Sequence, residues 1–470
     1  MKRFDEESAA NDEFVSLAGG AQAGELIWDL LQHRIKRPRL LPPAIRIARL
    51  EEPFNSILQH EGVLHIEAPA GFGKSQVLSH VLAERPDDCV GWVTLIAQDN
   101  DPARLLALLI LALKRPELRH EAQIKPISGS PTDLLTLLLT RFQTEGQAFT
   151  LVLDGIDALV TAPAIALLEQ LLRELPRGLN LALISRQPLP LETHHYALQE
   201  QFQHVTADDL ELTRAEVLAF FAGGQATPHA VEHLYTLTEG WLTPLALYRL
   251  ELQQNHKQRL PIQETRSVRR FLQDTLFNHL PPGQQRALCL MAEYDVISDD
   301  LFANLAEPDM DKTFLPSVAA ERGLPLRSVS GRGHWFRLNP LARDWLLAKG
   351  IAGQKDRARV ASEWFQFRGD YSEALRYALI SQDTAQALTI TAAGSEALLI
   401  NQDTTSLLSL RRTVPAELIR KSPRLRMVYG CVHAIGGQFR EARKLMASLS
   451  AEEIAQLDGR LMALEAFVLR

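Results

Sequence analysis

The sequence predicts a multidomain protein of the α/β plus α class. A parallel sheet built around a phosphate-binding loop comes first. A helical domain, a winged-helix domain and an array of helical hairpins follow. Three observations carry this prediction. A glycine-rich segment, A-P-A-G-F-G-K-S (68–75), lies between a short apolar run and a helical pattern. Four short apolar runs alternate with helical patterns up to about residue 200, the signature of a parallel sheet covered by helices. Two similar segments, G-D-Y-S-E-A-L and G-Q-F-R-E-A-R, begin at Gly369 and Gly437, 68 residues apart. That is twice the ~34-residue tetratricopeptide (TPR) period.

Length and composition agree with several modules. The 470 residues exceed what one core supports, at ~150 residues per domain. A net charge of −7 argues against a chain that coats nucleic acid by bulk charge. Cys89, Cys289 and Cys431 form no C-x-x-C pair, which fits a reducing compartment and argues against a zinc knuckle or a disulfide framework. The acidic, polar N-terminus lacks the apolar stretch of a secretory signal. The longest apolar run, Leu105–Leu113, is far short of the ~20 residues of a membrane span and reads as a buried helix. The expectation is a soluble, cytoplasmic protein with no membrane partner.

In order along the chain, residues 1–38 read as a tail with a short helix over Glu25–Gln32. The basic stretch His33–Pro43 has two readings, a phosphate- or nucleic-acid-binding run and a solvated loop. Residues 39–200 form the nucleotide-binding domain, with strands at V-L-H-I (63–66), C-V-G-W-V-T-L (89–95), F-T-L-V-L-D (149–154) and L-N-L-A-L-I-S (179–185). Helices are expected at Ser75–Ala83 and Ala103–Leu113. Beyond residue 200 strands nearly vanish. Thr213-x-x-Glu216 is a capping box that opens a helical domain, 201–260. Residues 261–350 combine helices with a hairpin, P-L-R-S-V then H-W-F-R-L, as in a winged helix. Such a module binds DNA or serves as a packing unit, and its acidic stretches favour packing. Residues 351–470 read as TPR-like hairpins, in which Gly369 and Ala374 suit close packing of the two arms. A degenerate middle copy starts at Asp403.

The chemistry centres on residues 68–76. A strand, a glycine loop and a helix in that order make a P-loop. Gly71 and Gly73 let backbone N–H groups converge on phosphate oxygens, and Pro69, Ala70, Phe72 and Gln76 complete the loop. Lys74 would reach the β-phosphate of ADP, or the β- and γ-phosphates of ATP, and Ser75 would offer a hydroxyl to Mg²⁺. The alternative is a glycine-rich turn without ligand. An apolar strand ending in Asp154 is a Walker B arrangement, whose carboxylate holds Mg²⁺. Asp157 either activates the attacking water or caps a helix. The strand ending in Ser185 and Arg186 stops at the same sheet edge, where Arg186 can sense the γ-phosphate.

In this order the motifs resemble the N-terminal half of the large ATP-dependent LuxR-type bacterial transcription activators, the MalT-like group of STAND-class P-loop ATPases. The resemblance covers residues 36–470. It rests on P-A-G-F-G-K-S (69–75), W-V-T-L with D-N-D-P (92–95, 99–102), L-V-L-D-G-I-D (151–157) and S-R (185–186). It continues through T-E-G-W-L-T-P-L-A-L (238–247), F-R-L-N-P-L-A-R-D-W-L (336–346), E-W-F-Q-F-R-G-D-Y-S-E-A-L-R-Y-A-L (363–379) and V-P-A-E-L-I-R-K-S-P-R-L (414–425). The resemblance implies that the loop Gly240 to Pro244 touches adenine. It also implies a closed ADP form, and an open form that oligomerises with ATP plus an inducer or regulatory protein. The helical array would read that inducer, and DNA would be bound only through a separate C-terminal helix-turn-helix.

Three departures qualify it. Asn339 stands where the family usually has a histidine near the ADP β-phosphate, which implies a weaker resting lock. Gly155 follows Asp154, as in the D-G-x-D of the NACHT branch, which makes Asp157 the candidate for water activation. The helix-turn-helix has no counterpart here, and the final residues stop inside a helical pattern, so the expectation is a truncated chain. The function expected is a nucleotide-dependent transcriptional switch with slow ATP turnover. A P-loop kinase or ATPase with a helical appendage, and a scaffold with a degenerate P-loop, are the alternatives.

Overall fold

The computed structural model describes residues 34–40, 46–58, 62–113, 131–140, 142, 148–189, 191, 201–222, 227–254, 260–329, 331, 334–401, 403, 406–407, 410, 413–455 and 457. The expected helix over Glu25–Gln32 lies outside them. Two compact units form the chain: Met1–Leu280 with Ser317–Arg327 and Leu338–Trp345, and Pro281–Pro316 with Ser328–Arg337 and Leu346–Arg470.

The first unit is built on a five-stranded parallel sheet. Its strands are β1 (Val63–Glu67), β2 (Val90–Thr94), β3 (Phe149–Asp154), β4 (Leu179–Ser185) and β5 (Phe202–Val205), in the order β2-β3-β4-β1-β5. The first four are the four apolar runs of the sequence. They are buried almost throughout because helices cover the sheet, the condition for an all-parallel sheet. β5 departs from the expectation that strands nearly vanish after residue 200. Its four residues, F-Q-H-V, are mostly half-exposed at a sheet edge, so no apolar run marks it.

Helices α1 (Ala48–Ile57), α2 (Lys74–Val81), α3 (Pro102–Ala112), α4 (Pro131–Thr140) and α5 (Ala162–Arg173) accompany the sheet. The apolar run Leu105–Leu113 is indeed a buried helix: Leu105, Leu108 and Leu109 are fully buried in one core with Leu151, Leu153 and Leu167. α3 starts at a capping Asp101 and a proline at its first position, both favoured there.

Of the basic stretch, residues 34–40 are described: Lys36, Arg39 and Leu40 are exposed as in a solvated loop, but Arg34 is not. Arg34 is 8% exposed and holds Asp99, itself fully buried, through two hydrogen bonds of 2.8 and 2.6 Å. Burial alone would raise the Asp99 pKa, but the Arg34 and Ile96 N–H hydrogen bonds bring it below the usual carboxylate range. Arg34 also donates to the Thr94 carbonyl at the end of β2. Gln76 and Ser79 of α2 donate to the Arg39 and Pro38 carbonyls. The stretch is therefore a strap on the sheet domain.

Helices α6 (Arg214–Phe220), α7 (Pro228–Thr238), α8 (Leu242–Gln254) and α9 (Arg266–Leu272) complete the helical part of this unit. Thr213 and Glu216 form the expected reciprocal box at the start of α6.

In the second unit, α10 (Pro282–Ala292) precedes a short strand β6 (Ile297–Ser298) and helix α11 (Asp299–Leu305). The expected hairpin is present as β7 (Leu326–Ser328) and β8 (Trp335–Leu338), closed by Val329 N–H to the Trp335 carbonyl. β6 pairs antiparallel with β8, Ile297 opposite Phe336. α12 (Pro340–Leu347) follows the hairpin; its residues to Trp345, like Leu326 and Arg327 of β7, belong to the first unit.

Helix pairs fill the rest of the second unit. α13 (Gln354–Phe367) and α14 (Tyr371–Ile380) form the first pair, and α15 (Thr384–Ile400) follows. α16 (Pro423–Ile435) and α17 (Phe439–Met446) repeat the arrangement. Gly369 and Gly437 occupy equivalent turns, with φ of +79° and +74°. A Cβ at Gly369 would meet nothing within 4 Å, so the expected close-packing role is wrong there; the turn needs the left-handed conformation. Close packing falls instead to Ala374, fully buried with its carbonyl taken by Ser362, and to Gly394, whose Cβ would meet the Tyr371 side chain at 2.6 Å. Arg357, with its side chain 4% exposed, fixes the first pair to the preceding module through Glu293 and Glu307, each at 2.6 Å.

Candidate functional site

The site forms at the carboxyl edge of the parallel sheet, where ligands collect in open α/β sheets. β1 ends at Glu67 and the loop 68–73 leads into α2. Gly71 and Gly73 have φ of +84° and +83°, a region that only glycine enters at low cost. Added Cβ atoms would also lie 2.5 Å from the Phe271 ring and 2.2 Å from Leu242. The loop thus requires glycine twice over, for its curl and for its neighbours.

A cavity of about 340 Å³ opens over this loop. Of the expected phosphate-loop residues, Ala70, Gly71, Gly73, Lys74, Ser75 and Gln76 line it. Lys74 Nζ donates to the Ala68 and Pro69 carbonyls at 2.6 and 3.0 Å. Burial, with Arg186 adding repulsion, pulls its pKa down to about 8. Phe72 is buried away from the cavity.

Asp154 and Asp157 both line the cavity. β4 separates β3 from β1, so Asp154 reaches Ser75 across one intervening strand. Ser75 Oγ donates to Asp154 Oδ2 at 2.6 Å. Burial raises the Asp154 pKa, and the Ser75 hydrogen bond and nearby Lys74 pull against it. Asp157 sits in a single 3₁₀ turn, where its Oδ1 accepts the Arg186 N–H at 2.9 Å. Arg186 lines the cavity as well. Two cations and two carboxylates therefore face one another, with the charge types that cradle a polyphosphate and a divalent ion.

Gly240 and Pro244 are buried and lie outside the cavity lining. The residues between them make the contact. Trp241, fully buried, donates its indole N–H to the Ala70 carbonyl at 3.2 Å and stacks on Phe72 with ring centroids 5.7 Å apart. Thr243 N–H donates to the Gly71 carbonyl at 3.0 Å, and Thr243 lines the cavity. The turn that presents them is strained: Glu239 and Gly240 have φ of +52° and +80°. A Cβ on Gly240 would sit 2.2 Å from the Leu212 carbonyl oxygen.

Asn339 also lies outside the cavity lining. It is 4% exposed and caps α12, its Oδ1 accepting from Leu341 and Ala342 N–H. Its Nδ2 donates to the Thr238 carbonyl at 2.9 Å, at the root of the strained turn. It acts on the turn, one step from the loop. Gly323 approaches the site from the same part of the sequence, where an added Cβ would meet the Arg186 carbonyl at 2.6 Å.

Sequence reasoning did not select Thr94, Leu95, Gly155 or Ile184, and took Thr243 only as part of the loop Gly240 to Pro244; all five line the cavity. Strand ends supply the first four, a placement that follows only from the strand order. Thr243 is hidden in a run whose glycine and proline are the conspicuous residues.

Residues 273–358 match the MalT winged helix domain family. Over 454 residues the chain is 24% identical to the HTH-type transcriptional regulator MalT of Cronobacter sakazakii, covering 92% of this chain and 50% of that protein. The chain resembles half of a MalT regulator. A second MalT, from Vibrio cholerae serotype O1, is also 24% identical, over 93% of this chain and 50% of its own length. The chain thus spans about half the length of the curated MalT relatives it matches. Among solved structures it is similar to a signal transduction ATPase with numerous domains (STAND) carrying a tetratricopeptide repeat sensor, from Pyrococcus horikoshii. That match has 14% identity and a TM-score of 0.35, over 90% of this chain and 60% of the other. Among the described residues no helix is long and apolar enough to cross a membrane.

Proposed function

We propose that the chain is the nucleotide-binding and signal-sensing part of an ATP- and ADP-dependent switch in a MalT-like transcription regulator. One observation carries this reading. The glycine loop, Asp154, Arg186 and Thr243, which follows the strained turn, meet at one cavity, and Trp241 of that turn holds the loop from behind. A nucleotide there would touch a catalytic-type sheet edge and a movable helical element together.

Lys74 and the loop N–H groups would hold the β- and γ-phosphates. Ser75 and Asp154, already 2.6 Å apart, have the hard oxygen donors that suit Mg²⁺, whose charge would be shared with the phosphates. Asp157 would orient a water near the terminal phosphate, and its hydrogen bond from the Arg186 N–H would keep Arg186 on the cavity wall. Gly240 and Pro244 shape the turn through which the adenine side would be read.

The energetic logic is population shift. A ligand moves a two-state equilibrium only by its difference in affinity for the two states, and ~5.5 kcal/mol takes 1:99 to 99:1. The γ-phosphate and an inducer, read by the helical hairpins, would supply that difference together. Self-association with ATP plus inducer, and DNA contact through a helix-turn-helix outside this span, complete the proposal.

Nucleotide retained after purification, followed by ATP turnover with and without Lys74→Ala, tests it. Retained ADP and turnover at or below ~10⁻² s⁻¹, the range of unassisted P-loop switches, is the expected result. Turnover of ~1–100 s⁻¹ onto an acceptor would make the protein a kinase. No nucleotide binding would make it a scaffold.

A further inference from the structure

The underside of the β1–β5 edge carries three side chains that the nucleotide reading leaves unused. His65 and Glu67 are two residues apart on β1 and so share one face of the sheet. His204 stands on β5 in direct register with His65. One ligand atom from each of the three lies within 4.8 Å of the other two. In its present rotamer His204 Nε2 meets Glu67 Oε2 at 3.1 Å.

His65 is prepared in a different way. It is 3% exposed, and its Nε2 lies 2.8 Å from Ser185 Oγ. The Ser185 hydroxyl has one proton, and it donates that proton to the Gln187 carbonyl at 2.6 Å. Ser185 Oγ therefore accepts from His65 Nε2–H, which leaves the lone pair on Nδ1. A histidine whose second nitrogen is tied to a hydrogen-bond acceptor in this way is the usual form of a metal ligand.

We propose that His65, Glu67 and His204 form a transition-metal site of the Zn²⁺ class, with a water as fourth ligand. Two imidazoles and a carboxylate select a borderline ion over Mg²⁺, which prefers oxygen. The His65 and His204 rings are now parallel, with centroids 4.7 Å apart, so one ion cannot lie in both ring planes. His204 has to turn out of this stack to bind, and its side chain, 42% exposed, has the room. Glu67 directly precedes the phosphate loop, and Ala68 N–H bonds the Ser185 carbonyl, so an ion here would pin the strand from which the loop springs. None of the three ligands lines the nucleotide cavity, although Ser185, which holds His65, does.

The test is Co²⁺ titration of the chelator-treated full chain with excess Mg²⁺ present to occupy the phosphate site. One equivalent of Co²⁺ with strong visible bands, displaced by Zn²⁺, is expected. His204→Ala and Glu67→Gln should each weaken binding by about tenfold or more, a loss at least that of a second-shell change, while ADP affinity stays the same. His204 is exposed, so its variant tests the site without threatening the core. Absence of a Co²⁺ equivalent, or undiminished binding in both variants, would overturn the proposal.

Discussion

The phosphate-loop region and the helical hairpins both depend on glycines in the left-handed conformation, but for different reasons. Gly71, Gly73 and Gly240 are crowded: an added Cβ would lie 2.5 Å from the Phe271 ring, 2.2 Å from the Leu242 side chain and 2.2 Å from the Leu212 carbonyl oxygen, respectively. Gly369 and Gly437 share the positive φ and face open space. In the first region the glycine serves a site where three segments converge. In the second it only ends a helix. The same residue type therefore marks function in one place and chain geometry in the other, and the surroundings decide which.

That contrast can be broken most sharply at Gly240. Gly240→Ala adds left-handed strain of ~1–2 kcal/mol to overpacking of ~1–3 kcal/mol against the Leu212 backbone. Chemical denaturation should show the summed loss, and ADP binding should fall with it. A loss no larger than that of Gly369→Ala would erase the distinction.

Lys74→Ala comes next. Removing a charge-assisted contact worth ~1.5–3 kcal/mol should lower ADP affinity by about 10–100-fold with little change in folding, read by calorimetry. Asn339→Ala removes both a helix cap and the donor to Thr238. It should cost ~0.5–2 kcal/mol of stability, the range for cap removal, measured as a shift in denaturation midpoint. Unchanged stability with a large drop in ADP affinity would instead place Asn339 at the phosphates. Gly369→Ala should cost only the left-handed strain of ~1–2 kcal/mol and leave nucleotide affinity alone.

The smallest effect is a proton. The Lys74 pKa of about 8 lies below its usual value, so the free protein loses that charge as pH rises through 8. Phosphate binding restores it. Nucleotide binding should then take up a fraction of a proton at pH 8.5 and almost none at pH 7, seen as buffer-dependent enthalpy. The same depression means that, without nucleotide, stability rises with pH between about 8 and the unfolded lysine value of ~10.4. Equal proton uptake at both pH values would contradict this assignment.

Much of this was legible in the sequence. The first four strands, the capping box at Thr213, the hairpin before Asn339 and the 68-residue repeat of the glycine turns all appear as residue patterns with local causes. The loop and its Asp154 and Lys74 were legible because backbone curl and phosphate chemistry restrict residue choice. Other features were hidden because they arise from distance in sequence. Edge strand β5 lacks an apolar run, Arg34 is paired with Asp99 across 65 residues, and Trp241 meets Ala70 across 171. Asn339 was identified as a residue that matters, but its partner, Thr238, could not be read from its own motif.

The central claim is that the turn 238–243 reports which nucleotide occupies the cavity. Hydrogen exchange of the full chain with ADP, and then with a non-hydrolysable ATP analogue, tests it directly. The Trp241 and Thr243 amides, bonded to Thr238 and Gly71 carbonyls, should exchange at different rates in the two states. Identical exchange there, with both nucleotides shown to be bound, would contradict the switch and leave only a nucleotide-binding domain.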